Sequence, residues 1–184
     1  MENFADKLRY YDYKVYDFFY QPIYHSHYLS HVYLFMAKYG IVFFFLSFIY
    51  LIIKKKTNAF FATFLAMALA GFVDMVIMLF WQRPRPFVTH IDKIMTPITE
   101  GMRVDSASFP SGHTYIAFAI ATSVFLYGHK KLGAFLLLLA LFVAISRVGS
   151  GLHYPSDIVG GIIVGVLAGY TAFRLVNKAQ KRWE

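Results

Sequence analysis

Long apolar runs alternate with short polar segments along most of this chain. A run of roughly 20 apolar residues, wound as a helix, crosses the hydrocarbon core of a bilayer. The runs predict five spans, at residues 32–53, 59–81, 112–127, 132–146 and 156–176. The pattern therefore predicts an all-α integral membrane protein, a bundle of about five transmembrane helices.

A different pattern precedes the first span. Between Asn3 and Tyr20, apolar residues recur every three or four positions and charged residues fill the gaps, which predicts an amphipathic helix. The apolar positions are Phe4, Leu8, Tyr11, Val15 and Phe18. Its many tyrosines favour the headgroup layer, and Pro22 is expected to end it. Residues 1–30 are thus an interfacial segment, too rich in Asp for a cleavable signal peptide.

Composition supports the membrane class. The hydrophobic fraction is 58% and the mean hydropathy is +0.51, more than a soluble core of 184 residues needs. The length suits one domain, 1–184, with a transmembrane core at 32–176. Cysteine is absent, which excludes disulfides and Cys-ligated zinc.

The charged residues predict an orientation. The net charge is +8, but Lys and Arg lie at the ends of apolar runs rather than along one helix face, so we expect no nucleic-acid partner. Residues 54–56, 130–131 and a basic tail at 177–184 share one side, which the positive-inside rule makes cytoplasmic. Three polar clusters then face the exterior or periplasm: the first cluster (82–86), the second (110–113) and the third (146–157).

The third cluster has the most specific pattern. Pro155 predicts that a helix starts at 155 or 156, so His153 precedes the helix and Asp157 lies in its first turn. Asp157 can accept a hydrogen bond from one imidazole nitrogen and leave the other free to attack phosphorus. The alternative is a helix-capping Asp beside an unrelated His. Asp157 also begins a stripe of small residues that predicts close helix packing: Gly161, Gly165 and Gly169.

The first and second clusters add cations and a helix N-terminus. Arg83 and Arg85 are suited to forked binding of phosphate oxygens, or alternatively to lipid headgroups. Ser111 is a good N-cap, Gly112 admits a ligand close to the backbone, and His113 can reach the same anion. The alternative for this cluster is an ordinary capped helix with a surface His.

Taken together, the clusters hold three Arg, two His and one Asp on one face. Three guanidiniums attract an anion and repel a divalent cation, which favours phosphoryl transfer without a metal or other cofactor.

Other polar residues have less specific interpretations. Asp74, inside the second span, either lines a substrate or ion pathway or takes part in a helix-to-helix hydrogen bond. His25, His27 and His31 favour interfacial hydrogen bonding over a metal cluster. Four residues of the loop at 83–110 are expected to face either a sugar headgroup or water: Lys93, Glu100, Arg103 and Asp105. His90 is expected to border the pocket.

These motifs resemble the three-part signature of the type 2 phosphatidic acid phosphatase superfamily. The parts are Arg85-Pro86, then Pro110-Ser111-Gly112-His113, then Ser146-Arg147 followed by His153 and Asp157 at the family's spacing. The resemblance covers residues 59 to 176. The soluble vanadium haloperoxidases share the signature, but five apolar spans argue against a soluble oxidase.

The resemblance implies a role for each residue. His153 would be the nucleophile that forms a phosphohistidine, Asp157 would orient it, and His113 would protonate the leaving oxygen. The phosphoryl oxygens would be bound by Arg85, Arg147, Ser111 and the Gly112 amide, with Arg83 as a helper. One cation is missing, because the Lys that usually begins the first motif is replaced by Met78, or by Val76 if Arg83 is the counterpart.

The resemblance also implies a substrate class. The short chain and the Arg-Pro-Arg-Pro-Phe run resemble bacterial members that act on undecaprenyl pyrophosphate at the outer face of the plasma membrane. Relatives remove the 1-phosphate of lipid A or dephosphorylate phosphatidylglycerophosphate. The partners expected are a lipid phosphate and membrane lipids, with no required protein partner. A non-enzymatic lipid-phosphate binder or carrier is the alternative from another class, and a small membrane scaffold is a third.

Overall fold

Helices follow the apolar runs in the computed structural model, which describes residues 4–89 and 107–182 with the side chains of 4–6 excepted. Their bounds are α1 Phe4–Tyr24, α2 His27–Tyr39, α3 Val42–Ile53, α4 Thr57–Phe80, α5 Pro86–Thr89, α6 Gly112–Leu126, α7 Lys130–Gly149 and α8 Pro155–Gln180. The prediction of an all-α membrane bundle is confirmed. The loop residues His90, Lys93, Glu100, Arg103 and Asp105 lie outside the described residues.

Three of these helices are long and apolar enough to cross a bilayer: α4, α7 and α8. The predicted first span is a bent pair, since α2 and α3 meet at 48° and together pass the same test. The bend falls at Gly40, where a Cβ atom would lie 2.6 Å from the Val143 side chain of α7. The span predicted at 32–53 therefore corresponds to the bent pair, and the bend itself was not predicted from the sequence.

The third predicted span, at 112–127, is α6, which has only 15 residues, about 22 Å of helix. Nine of its residues are buried, and α4, α7 and α8 pack around it. A helix surrounded by protein has little lipid-facing surface to match to the bilayer, so a shorter length suffices.

The glycine stripe packs α8 directly on α6. A Cβ atom at Gly165 would lie 2.5 Å from the Tyr115 carbonyl oxygen, and one at Gly161 would lie 2.9 Å from Thr114 Cβ. At Gly169 the added atom would lie 2.8 Å from Thr122 Cβ. The predicted close packing along this stripe is confirmed, and it brings the first turns of α6 and α8 together.

Helix α1 has two apolar faces. Leu8, Tyr11, Val15 and Phe18, the face predicted from the sequence, are exposed and suit a lipid interface. The opposite face, with Asp12, Tyr16, Tyr20 and Ile23, is buried against the bundle. The helix also continues through Pro22 to Tyr24, which corrects the predicted end. Proline in the last turn removes a single hydrogen bond, and the His25 amide donates to the Gln21 carbonyl at 3.1 Å.

The basic residues and the polar clusters lie at opposite ends of the bundle. Lys55, Lys56 and His129 line one open cleft with the C-terminal part of α8, and the Asn58 amide donates to Gln180 Oε1 at 2.7 Å. The segment predicted as a basic tail from 177 thus continues α8 to Gln180. The other ends of α4, α7 and α8 carry the first and third clusters. This arrangement matches the predicted sidedness of the charges.

Local hydrogen bonds account for most of the remaining polar residues named above. The Tyr115 hydroxyl on α6 donates to Asp74 Oδ2 on α4 at 3.0 Å, which is the helix-to-helix alternative. His25 Nε2 contacts Gln21 Oε1 at 3.1 Å, and His31 Nδ1 donates to the His27 carbonyl at 2.7 Å.

Candidate active site

His153 lies at the centre of the site, in the short turn between α7 and α8, and is 1% exposed. Guanidinium nitrogens of Arg85 and Arg147 donate to its Nε2 at 3.0 and 3.2 Å. Since guanidiniums can only donate, Nε2 carries the lone pair and Nδ1 carries the proton. The Nδ1–H donates to the Ser108 carbonyl oxygen at 2.8 Å. Residues far apart in sequence thus present an unprotonated nitrogen between two cations.

The surroundings of His153 keep it neutral. Burial lowers the pKa of His153 to about 3; the nearby charges of Arg147 and Arg85 act in the same direction, and the neighbouring Asp157 carboxylate opposes it. A neutral imidazole is the form that can attack phosphorus.

This low pKa predicts a pH-dependent stability. Between the unfolded pKa near 6.5 and the folded value of about 3, the unfolded chain binds a proton that the folded protein does not. Stability from His153 is therefore present above pH ~6.5 and is lost as the pH falls, by at most about 1.4 kcal/mol per pH unit. Thermal unfolding in detergent between pH 7 and pH 4 should show a steeper decline for the wild type than for His153→Gln. Parallel declines of the unfolding temperature in the two proteins would contradict the low pKa of His153.

Asp157 is fully buried and accepts hydrogen bonds from three groups. Its Oδ1 accepts from Arg83 at 2.9 Å, and its Oδ2 accepts from the Ser108 hydroxyl and, at 2.8 Å, from the Tyr154 amide. The distance from Oδ2 to His153 Nδ1 is 3.5 Å, longer than the Nδ1 contact with the Ser108 carbonyl. Ser108 therefore contacts both residues, accepting the imidazole proton with its carbonyl while its hydroxyl donates to the carboxylate.

Arg85 and Arg147 are fixed by main-chain carbonyls. Arg85 donates to Leu152 and Ala107 at 3.2 and 3.1 Å, and Arg147 donates to Ala37 at 2.8 Å. The Arg147 Nε is buried and has no acceptor among the described residues. Because a buried donor without an acceptor is costly, this nitrogen is suited to an incoming oxyanion.

Arg83 differs from the other two arginines. Its terminal nitrogens donate to Asp157 at 2.9 Å and to Asp12 at 2.6 Å, and its guanidinium lies 4.0 Å from the centre of the Tyr154 ring. The sequence suggested a phosphate ligand at this position. The structure places the guanidinium between two carboxylates, and the role in phosphate binding stays a prediction.

The second cluster joins the site through α6. The Ser111 amide donates to the Asp157 carbonyl at 3.1 Å, which links the first turns of α6 and α8. Ser111 is the N-cap residue, but its hydroxyl accepts from Thr114 Oγ1 at 3.0 Å and makes no capping hydrogen bond. The imidazole of His113 lies near the Lys38 backbone and near the positive charges of Arg147 and Arg85. A Cβ atom at Gly112 would meet only the Tyr115 ring, at 3.9 Å.

Sequence reasoning missed Ser108 and Asp12. Ser108 lies two residues before Pro110, and no periodic pattern distinguishes it from other loop serines. Asp12 gave a weak signal, since a carboxylate at position 12 lies on the same helix face as Tyr16, Tyr20 and Ile23. Within 4–89 and 107–182, no group of three or more His, Asp or Glu residues is arranged to bind a metal ion.

Comparison with known proteins identifies the family. The model of the PAP2 superfamily matches residues 59–181, about two thirds of the sequence. The chain belongs to the PAP2 superfamily, as the motifs predicted.

Individual relatives agree with this membership. Undecaprenyl-diphosphatase BcrC of Bacillus subtilis (strain 168) is 36% identical over 107 residues, which are 58% of this chain and 52% of that protein. A lipid A 4'-phosphatase of Bacteroides thetaiotaomicron is 33% identical over 86 residues, 46% of this chain and 38% of that protein. The chain therefore spans about half or less of the length of these curated relatives.

A solved structure shares the fold. The crystal structure of Aquifex aeolicus LpxE superposes with a TM-score of 0.65, covering 88% of this chain and 93% of that one at 22% identity. At this identity the likeness shows the fold alone, an arrangement of membrane helices common to both chains.

Proposed function

We propose that this protein is a lipid phosphatase that removes the terminal phosphate of a lipid pyrophosphate through a phosphohistidine on His153. One observation carries the proposal: the unprotonated Nε2 of His153 receives hydrogen bonds from both Arg85 and Arg147. Two cations around a neutral nucleophile are what attack on an anionic phosphoryl group requires.

The first chemical step forms the covalent intermediate. His153 Nε2 attacks phosphorus, the bond from phosphorus to the leaving oxygen breaks, and His113 donates a proton to that oxygen. Arg85, Arg147 and the amide at Gly112 bind the phosphoryl oxygens, with the buried Arg147 Nε as one donor. The Nδ1–H keeps its hydrogen bond to the Ser108 carbonyl oxygen, and this hydrogen bond stabilises the positive charge that develops on the ring.

The second step releases the product. Water attacks phosphorus and gives one proton to His113, which restores the proton that His113 lost in the first step. The bond from phosphorus to Nε2 breaks, and inorganic phosphate leaves with the His153 imidazole regenerated. Every step uses groups of this chain and water alone, so the proposal involves no metal and no cofactor.

The substrate proposed first is undecaprenyl pyrophosphate, which the name of the BcrC relative supports. Lipid A phosphates and phosphatidylglycerophosphate are the alternatives, each supported by the name of another relative. The lipid tail stays in the hydrocarbon while the headgroup reaches the arginines. We place the site at the outer, periplasmic face of a bacterial plasma membrane, since the basic residues gather at the opposite end.

A turnover comparison tests this function. Purified protein is given undecaprenyl pyrophosphate, lipid A and phosphatidylglycerophosphate in matched mixed micelles, and phosphate release is measured for each. The proposal expects kcat/KM for undecaprenyl pyrophosphate to exceed the other two values by at least about tenfold. Preference for another of these lipids would overturn the substrate, and lipid binding without phosphate release would favour the carrier alternative.

A further inference from the structure

A hydrogen-bonded group connects α1 to the active site, and we call its members, Asp12, Arg83, Ser156 and Asp157, the aspartate tie. The members come from three separate parts of the chain: the interfacial helix, the first cluster and the first turn of α8. All of their charged side chains are at least partly buried, with Asp157 fully buried and Asp12 9% exposed.

Asp12, on α1, hydrogen-bonds to the first turn of α8. Its Oδ1 accepts from the Ser156 amide at 2.9 Å, and its Oδ2 accepts from the Ser156 hydroxyl at 2.6 Å. The first amides of a helix have no partner within the helix, and a carboxylate there also interacts favourably with the helix dipole. Asp12 therefore acts as a cap for α8, supplied by a helix 144 residues away in sequence.

Asp12 also fixes the position of Arg83. The guanidinium donates to Asp12 through one terminal nitrogen at 2.6 Å, and through the other to Asp157 at 2.9 Å and Ser156 Oγ at 2.6 Å. With both carboxylates present, the Arg83 guanidinium has an anionic partner on each terminal nitrogen. Without Asp12, half of this bridge is lost and the partly buried guanidinium has one anionic partner fewer.

We propose that Asp12 is a positioning residue for the phosphatase reaction. Through Arg83 and Ser156 it fixes the first turn of α8, and with it the Asp157 carboxylate, which lies beside His153 and binds the Ser108 hydroxyl. This inference rests on the function proposed above. It assigns a role in turnover to the interfacial helix, which lies outside the family match at 59–181.

The test is Asp12→Asn with Asp17→Asn as the matched control. Asp17 lies on the same helix, and its Oδ1 accepts from Gln21 at 3.0 Å, so the control makes the same change of charge outside the aspartate tie. We expect kcat per folded Asp12→Asn protein to fall about 10- to 30-fold while KM changes less than about threefold, because Arg85 and Arg147 still bind phosphate. Asp17→Asn should stay within about twofold of the wild type on both parameters.

Arg83 provides the second comparison. If Asp12 acts through Arg83, the fold-loss of kcat in the double variant Asp12→Asn/Arg83→Gln should be much smaller than the product of the fold-losses of kcat in the two single variants. If Arg83 binds substrate instead, Asp12→Asn would free its guanidinium and lower KM. That result, or a kcat equal to that of Asp17→Asn, would overturn the proposal.

Two readouts separate this inference from the proposed function. A wild type that releases no phosphate from any lipid would contradict the function. The tie itself is then tested without substrate, since the thermal midpoint of Asp12→Asn should fall below that of Asp17→Asn. A lower midpoint with unchanged kcat per folded protein would make Asp12 merely structural and would also overturn the positioning role.

Discussion

The variant His153→Gln is expected to release phosphate from undecaprenyl pyrophosphate at less than about one thousandth of the wild-type rate. Glutamine keeps an acceptor for the two guanidiniums but has no nitrogen lone pair able to attack phosphorus. His153→Ala removes the side chain altogether and should be equally inactive. The measurement is inorganic phosphate released per folded protein, with folding checked by size-exclusion chromatography and thermal unfolding.

The matched control is His31→Gln. His31 is exposed and hydrogen-bonds within its own helix, so the same substitution there should leave turnover within about twofold of the wild type. Full activity of a folded His153→Gln protein would rule out His153 as the nucleophile. Loss of activity in both variants would point to inactivation during purification rather than to a change in the active site.

The second large effect is expected at Gly165, on stability rather than chemistry. Leucine at this position would require α6 and α8 to separate, since even its Cβ would lie 2.5 Å from the Tyr115 carbonyl oxygen and 2.8 Å from Phe118 Cβ. We expect Gly165→Leu to destabilise the protein by about 3 kcal/mol or more. Separation would also break the contact between the Ser111 amide and the Asp157 carbonyl, so any folded fraction should be poorly active.

Gly71 offers the matched control for this prediction. A Cβ atom at Gly71 meets nothing within 4 Å, so Gly71→Leu on the neighbouring helix α4 should fold and turn over normally. The two proteins are compared by thermal unfolding in the same detergent. If Gly165→Leu unfolds at the midpoint of Gly71→Leu, then α6 and α8 do not pack as described.

The sequence predicted those features that depend on local pattern. Apolar runs located each spanning helix to within a few residues, because a polar side chain placed in the hydrocarbon core is costly at every position of a span. Charges at bilayer depth marked the three clusters for the same reason, and the structure brings Arg85, Arg147 and His153 into direct contact.

Features that depend on distant contacts could not be predicted in this way. Periodicity showed that α1 is amphipathic, but both of its faces carry aromatic residues, and only the tertiary contact shows that the face with Asp12 meets the bundle. Arg83 and Arg85 look equivalent in sequence. They differ in the fold because Asp12, 71 residues from Arg83, lies within hydrogen-bonding distance of only one of them in the contacts described.

The bend between α2 and α3 has the same origin. Residues 32–53 form a mostly apolar run in which only Lys38 is charged, so composition alone predicts one span and no break. At the break, Gly40 lies so close to Val143 that an added Cβ would be 2.6 Å from its side chain. That distance depends on the position of α7, about a hundred residues further along the chain, and no local pattern records it.

The covalent intermediate is the most direct test of the whole account. Protein mixed with undecaprenyl pyrophosphate carrying ³²P in its terminal phosphate is quenched into alkali on the millisecond scale and digested with trypsin. The account predicts alkali-stable, acid-labile label on His153, within the tryptic peptide that spans residues 148–174. Phosphate release at the wild-type rate with label on another residue, or with no label in that peptide at any time before one turnover, would contradict it.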